Sequence, residues 1–366
     1  MGITGARVRA VLGARTSGPV GDWPEGHDEG FLRAEYARRF GTEPAGLWHA
    51  PGRLALMGEH TAASGGAALH VALPWGVTVA VGTSADGSTR VATPSGPLGG
   101  RTPSARAVAR AEDEARASGL LGADRGIRVL IGSDLPEHAS LGHASAVGAA
   151  VALALAELTG AERPTGVALD ARAGHAVRVN LTSGRTTVLP FDLAEAGLRL
   201  VVLETGALPR RDPRPVRAAE LARAQDALGP LRSVQDLPGA LRRLQNPVLR
   251  HRVEYAVTEV HRLNAAVGLL RAGRAAETGP ILSASHLSLR GFDLPLPAVE
   301  LAVETAARAG ARGARMSGWA GTAFALVAEE RVAGLESAVR DAFTEKGWPP
   351  PRVRAALPSD GASRRG

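Results

Sequence analysis

With 366 residues, 45% of them hydrophobic and 22% charged, the chain has the make-up of a globular protein of one large or two ordinary domains with a sizeable core. No apolar run reaches the roughly 20 residues that span a bilayer, the arginine-bearing N-terminus leads into no apolar segment, and there is no cysteine for a disulfide, a thiol nucleophile or a thiolate metal site, so a cytoplasmic protein without membrane contact is expected. The net charge of +7 is carried almost wholly by arginine, Lys346 being the sole lysine, and aromatics make up only 4%; a basic surface interleaved with stacking rings is not available, and nucleic acid is not an expected partner.

Residues 1–27 carry several Gly and Pro with no clear period and read as a loose arm. From Phe31 to Phe40 apolar and charged residues recur at helical spacing and stop at Gly41. Leu54–Gly58, Val77–Val81 and Ile127–Ile131 are β-rich runs bounded by Gly or Pro, hence strands. Ala144–Leu158 predicts a helix of high Ala and Leu content closed by Gly160. Val177–Leu181, Thr186–Leu189, Leu198–Leu203 and Thr322–Val327 read as strands, and residues 214–228, 248–272, 297–309 and 331–346 as helices. Mixed strands and helices in both halves, with a change of character between residues 195 and 210, predict an α+β chain of two domains, 28–195 and 196–358, with residues 359–366 as a disordered tail. No internal repeat is present.

Three segments can carry chemistry. In the first, residues 50–66, a short apolar strand runs into Gly58, and Glu59 and His60 stand where the backbone turns; such side chains serve a hydroxylated ligand in a cleft or simply solvate a tight turn. The second, residues 134–146, follows a strand and opens a helix, the geometry in which free backbone N–H groups bind phosphate. Its only glycine is Gly142, however, and Glu137, His138 and His143 intrude. The third, residues 313–327, leads small residues into an apolar strand, which suits either a backbone close to a ligand or an ordinary strand entry.

Taken together, in this order and at these separations, the three segments resemble the galactokinases of the GHMP small-molecule kinase family. Pro-Gly-Arg-Leu-Ala-Leu-Met-Gly-Glu-His-Thr, residues 51–61, is similar to the family's Gly-Arg-Val-Asn-Leu-Ile-Gly-Glu-His-Thr-Asp-Tyr signature. The second segment sits where the family's phosphate loop belongs, and Arg315-Met-Ser-Gly318 resembles its Arg-Met-Thr-Gly stretch. Val257-Thr-Glu259, residues 283–290, Pro190-Phe-Asp-Leu-Ala194 and Gly197-Leu-Arg-Leu200 agree as well, so the resemblance spans residues 30 to 330.

That resemblance implies a two-domain GHMP fold with the active-site cleft between the domains. It also implies transfer of the γ-phosphate of ATP, with Mg²⁺, to the anomeric hydroxyl of galactose or a related sugar. By position, Arg53 stabilises transition-state charge, Glu59 and His60 hold sugar hydroxyls, and Ala139, Ser140, Leu141, Gly142, His143 and Ser145 line the nucleotide loop. Asp170, in Pro164-Thr-Gly-Val-Ala-Leu-Asp170, is the surviving candidate for the base, one residue out of register. Other family positions differ: the sugar-binding aspartate is Ala62, the sugar-contacting tyrosine is Arg214, and neither magnesium ligand is retained, so no residue is assigned to metal. ATP is expected to bind weakly, above roughly millimolar, because the loop lacks its glycines and carries Glu137. Two readings stay open: a working sugar 1-kinase, and a non-catalytic galactokinase homologue that binds a sugar or a partner.

Overall fold

The computed structural model describes residues 14–16 and 21–366 apart from residues 123 and 137. Of the stretch read as a loose arm, residues 1–13 and 17–20 therefore lie outside the described residues. The described remainder is tied to the body. Strand β1 (Ala14–Thr16) pairs antiparallel with Ala207–Pro209, and Trp23 lies against Trp75 at 4.6 Å while its indole N–H donates to the Asp134 carbonyl at 2.7 Å.

Helix α1 (Glu29–Phe40) starts because the Asp28 carboxylate caps the Phe31 N–H, and it ends at Gly41 in the left-handed conformation. Two long antiparallel strands follow, β2 (Gly46–Met57) and β3 (Ala67–Ser84), each far longer than the runs legible in the sequence. Trp48, Ala50 and Leu54 on β2 are fully buried, so tertiary burial carries the strand through residues of low β propensity such as Pro51. Short strands β4 (Arg90–Thr93) and β5 (Gly96–Pro97) edge the sheet beside β6 (Gly126–Ser133), β6 pairs with β3, and β7 (His175–Asn180) extends the other end of β3 and pairs in turn with β8 (Thr186–Pro190). Across this sheet lies the Ala-rich helix α3 (His143–Thr159), backed by α2 (Pro103–Ala117). Helix α2 was not legible as a run, but Thr102 caps it and Pro103 opens it.

The second sheet is four-stranded and antiparallel, in the order β11 (Gly313–Ser317), β12 (Thr322–Ala328), β9 (Leu198–Glu204), β13 (Arg352–Ala356). Its strands alternate. Leu198, Leu200, Val202, Phe324 and Leu326 join the core of the first sheet, whereas Val201, Leu203, Ala323, Ala325 and Val327 join a second core. Past β10 (Ala207–Pro209), the partner of β1, that second core is made with α5 (Arg214–Leu228), α6 (Leu237–Arg243), α7 (Pro247–Arg271), α8 (Gly279–Gly291), α9 (Pro297–Arg308) and α10 (Val332–Glu345). The fold is thus α+β, with two sheets sharing one apolar interior at their junction.

The reading of residues 359–366 as a disordered tail is corrected. Ser359 bonds both the Ala72 and Leu73 carbonyls, the Ala362 N–H donates to Ala168, and β14 (Ser363–Arg365) pairs antiparallel with Leu47–His49. The physical reason is the open edge of β2, whose backbone groups recruit a polar segment that composition alone assigns to solvent. No helix among the described residues is long and apolar enough to cross a membrane.

Candidate active site

A cleft of about 1040 Å³ opens between the two sheets, walled by β2 and β3, the loop before α3, and the turn after β11. Gly58 makes the corner. Its φ of 83° suits glycine, and a Cβ there would fall 2.2 Å from the Ala67 carbonyl oxygen. The chain then turns through a short 3-10 helix (Glu59–Ser64), and this sets Glu59 on the cleft wall.

The Glu59 carboxylate is gripped by Arg315, with contacts of 2.8 and 3.0 Å to the two terminal guanidinium nitrogens, and it also accepts the Gly318 N–H at 3.1 Å. Burial alone would raise its pKa, but the Arg315 charge and the Arg315 hydrogen bonds hold it down at about 2. Arg315 is itself fully buried and reaches Glu259 at 3.3 Å and the Ser285 hydroxyl at 2.8 Å. His60 is also buried. It donates from Nε2 to the Gly318 carbonyl at 2.7 Å, which leaves Nδ1 to accept from the Tyr255 hydroxyl at 3.2 Å. Trp319 stands edge-on to its ring at 4.6 Å, so His60 lies beneath the cleft wall rather than on it.

Arg53 projects from β2 into the cleft, and its backbone N–H holds the Leu141 carbonyl at 2.8 Å. Its pKa is lowered by burial with no carboxylate among the described residues acting the other way. Beside it, Gly142 precedes α3 with a φ of 78°, and a Cβ at that position would meet Arg53 Cγ at 2.7 Å. Gly142 offers no side-chain cap, and Gly142, His143, Ala144 and Ser145 all line the cleft at the first turn of α3, the positive end of the helix dipole.

Within the loop, Ala139 and Ser140 reach the cleft, the Ser140 hydroxyl accepts the Trp319 N–H at 3.2 Å, and Leu141 is buried in the core. His143 lies 3.3 Å from the Ser104 hydroxyl; Glu137 lies outside the described residues.

The structure therefore brings Arg53, Glu59, Ala139, Ser140, Gly142, His143 and Ser145 together on one cleft, with Leu141 in the core beneath and His60 behind the wall. Asp170 is elsewhere. It ends the short helix α4 (Val167–Asp170), and its carboxylate accepts the Gly166 N–H at 3.0 Å and the Thr186 hydroxyl. From the same helix it is Val167 that lines the cleft. Arg214 also lines it, paired to Asp212 at 2.8 Å, whereas Ala62 is exposed. Arg315 and Trp319 lie within residues 313–327 and His70 lies outside all three segments; none of them has a role legible in the sequence.

Residues 34–83 match the model described as the galactokinase galactose-binding signature, and residues 105–192 match the GHMP kinases N terminal domain. A galactokinase of Streptomyces coelicolor is 32% identical over 92% of this chain and 98% of its own length. The chain belongs to the galactokinase family. A galactokinase of Mycobacterium bovis is 31% identical over 86% of this chain and 98% of its own. Among solved structures, Lactococcus lactis galactokinase complexed with galactose superposes with a TM-score of 0.82 at 21% identity, covering 92% of this chain and 99% of that one. A mevalonate kinase shares the fold at a TM-score of 0.58 and 12% identity, covering 86% of this chain and 99% of that one. The chain is accordingly a galactokinase-like member of the sugar-kinase group, whose members use ATP and typically Mg²⁺.

Mg²⁺ prefers oxygen ligands, carboxylates among them. The carboxylates lining this cleft, Glu59 and Asp212, are both held by arginines, and the first turn of α3 adds only the Ser145 hydroxyl and the His143 ring. The described residues do not fit a protein-held Mg²⁺.

Proposed function

We propose that the protein acts as a galactokinase-like sugar kinase. Galactose or a related sugar lies against Glu59 and Trp319, and the transferred phosphoryl group lies over Arg53 and the N-terminal turn of α3. One observation carries this reading: a guanidinium drawn partly out of water, with no carboxylate partner among the described residues, faces the N-terminal turn of a 17-residue helix across one cleft. An anion placed there offsets the desolvation of Arg53 and meets the helix N–H groups at once. That is the electrostatic stabilisation phosphoryl transfer needs. ATP would extend along the wall of Thr93, Pro94, Leu98 and Pro103. Glu59, already oriented by Arg315, keeps lone-pair capacity for a sugar hydroxyl, since three donors occupy its roughly four acceptor positions.

A second reading, a sugar-binding homologue without catalysis, has its own observation. The Asp170 carboxylate is spent on Gly166 and Thr186, and both carboxylates on the cleft are ion-paired, so no unpaired carboxylate stands ready to take the hydroxyl proton among the described residues. Phosphorus NMR with ATP, Mg²⁺ and galactose or a small panel of sugars separates the two. A sugar 1-phosphate signal above the protein-free control supports the kinase, and its loss in Asp170→Ala would make Asp170 the base. No product, with sugar bound in calorimetry, supports the second reading. Neither product nor binding removes both.

A further inference from the structure

His70 is 95% buried, lines the cleft, and its Nδ1 has no hydrogen-bond partner among the described residues. The β2–β3 register explains where it points. Ala55 pairs with His70 and Arg53 with Ala72, so Arg53, Ala55 and His70 share one face of the sheet, and all three line the cleft. A buried imidazole left unpaired is costly, and a strand otherwise made of Leu69, Val71, Ala72 and Leu73 would be better served there by another apolar residue.

We infer that His70 is a sugar-contacting residue, a neutral imidazole on the cleft floor that exchanges a hydrogen bond with one hydroxyl of the bound sugar beside Arg53. This deepens the proposed function and rests on its placing the sugar in this cleft. Burial, reinforced by the Arg53 charge, lowers the His70 pKa to about 3, so the ring is neutral at physiological pH, with one nitrogen to donate and one to accept. Because a neutral hydrogen bond discriminates by leaving a buried group unpaired, His70 would act on specificity as well as affinity.

The experiment is calorimetric titration of galactose and its monodeoxy analogues into wild type, His70→Leu and His70→Asn. The expected result is a loss of about three- to tenfold for galactose in His70→Leu, partly restored in His70→Asn. One monodeoxy sugar should bind worse than galactose to wild type yet equally well to His70→Leu. Nitrogen-detected NMR of the wild-type imidazole, shifting when galactose is added, tests the contact without any substitution. If wild type binds galactose but His70→Leu binds it equally and the wild-type ring signal does not move, the inference is overturned and the proposed function stands. Absence of any binding to wild type overturns the proposed function and takes this inference with it.

Discussion

Arg315 grips Glu59 with both terminal nitrogens, at 2.8 and 3.0 Å, across 256 residues of chain, and so ties the turn after β2 to the middle of β11. The same guanidinium reaches Glu259 and Ser285, and Glu259 in turn accepts the Gly58 N–H at 3.1 Å. The candidate sugar wall is therefore held from behind by a buried charge network.

Cutting that network at its centre is expected to be severe. Arg315→Met leaves Glu59 and Glu259 as buried carboxylates without their common cation, a change that costs about 3–5 kcal/mol in comparable cases. Urea unfolding checks it, and a loss below about 1 kcal/mol would mean that water reaches the network.

Glu59→Ala should act mainly on binding. Arg315 keeps Glu259, but the cleft loses the oriented acceptor on its wall, so sugar affinity is expected to fall about tenfold or more, as for a charged hydrogen bond. Isothermal titration with galactose reads this, and an unchanged affinity would remove Glu59 from the sugar site.

At Gly142 backbone and packing demand the same residue. Gly142→Ala must adopt a φ of 78° and place its Cβ 2.7 Å from Arg53 Cγ, so a loss of about 1–3 kcal/mol is expected, with Arg53 displaced. Denaturation midpoints measure the cost. A variant as stable as wild type would show that the loop relaxes without strain.

Stability should fall with acid. Burial, with Arg53, lowers His70 to about 3, and burial, with Arg365, lowers His49 to about 4, against an ordinary value of 6.5. Below 6.5 the unfolded chain binds protons at these rings that the native state refuses. Stability is thus full above that value and declines as pH falls toward 4, by up to about 1.4 kcal/mol per pH unit at His70. Glu59 adds the same sign lower down: its folded pKa of about 2 lies under the ordinary 4.5, so its contribution is present above 4.5 and lost as pH falls toward 2. Urea midpoints at pH 7.5, 6, 5 and 4 should decline steadily, and a flat profile would contradict the burial of these rings.

What the sequence determined by itself was local or motif-bound. Helix 214–228 has the bounds its pattern indicates, and α3 and α7 agree to within a residue at each end, because apolar spacing and the Gly160 stop are readable in a single stretch. The run around Gly58-Glu59-His60 carried the family, since a turn that admits only glycine and a charged side chain that must be answered elsewhere constrain neighbouring letters together.

Tertiary structure alone decided which way the side chains face. Arg53 and Asp170 look alike as letters in family-like stretches, yet Arg53 shares a sheet face with the cleft while Asp170 closes a turn against Thr186. Glu59 found its cation 256 residues away, His60 went under Trp319, and the polar segment 363–365 became an edge strand of β2. His70 gained its meaning only when β2 and β3 came into register. Each of these outcomes depends on partners distant in sequence and on the burial they create together, and burial is a property of the assembled fold, not of any one segment.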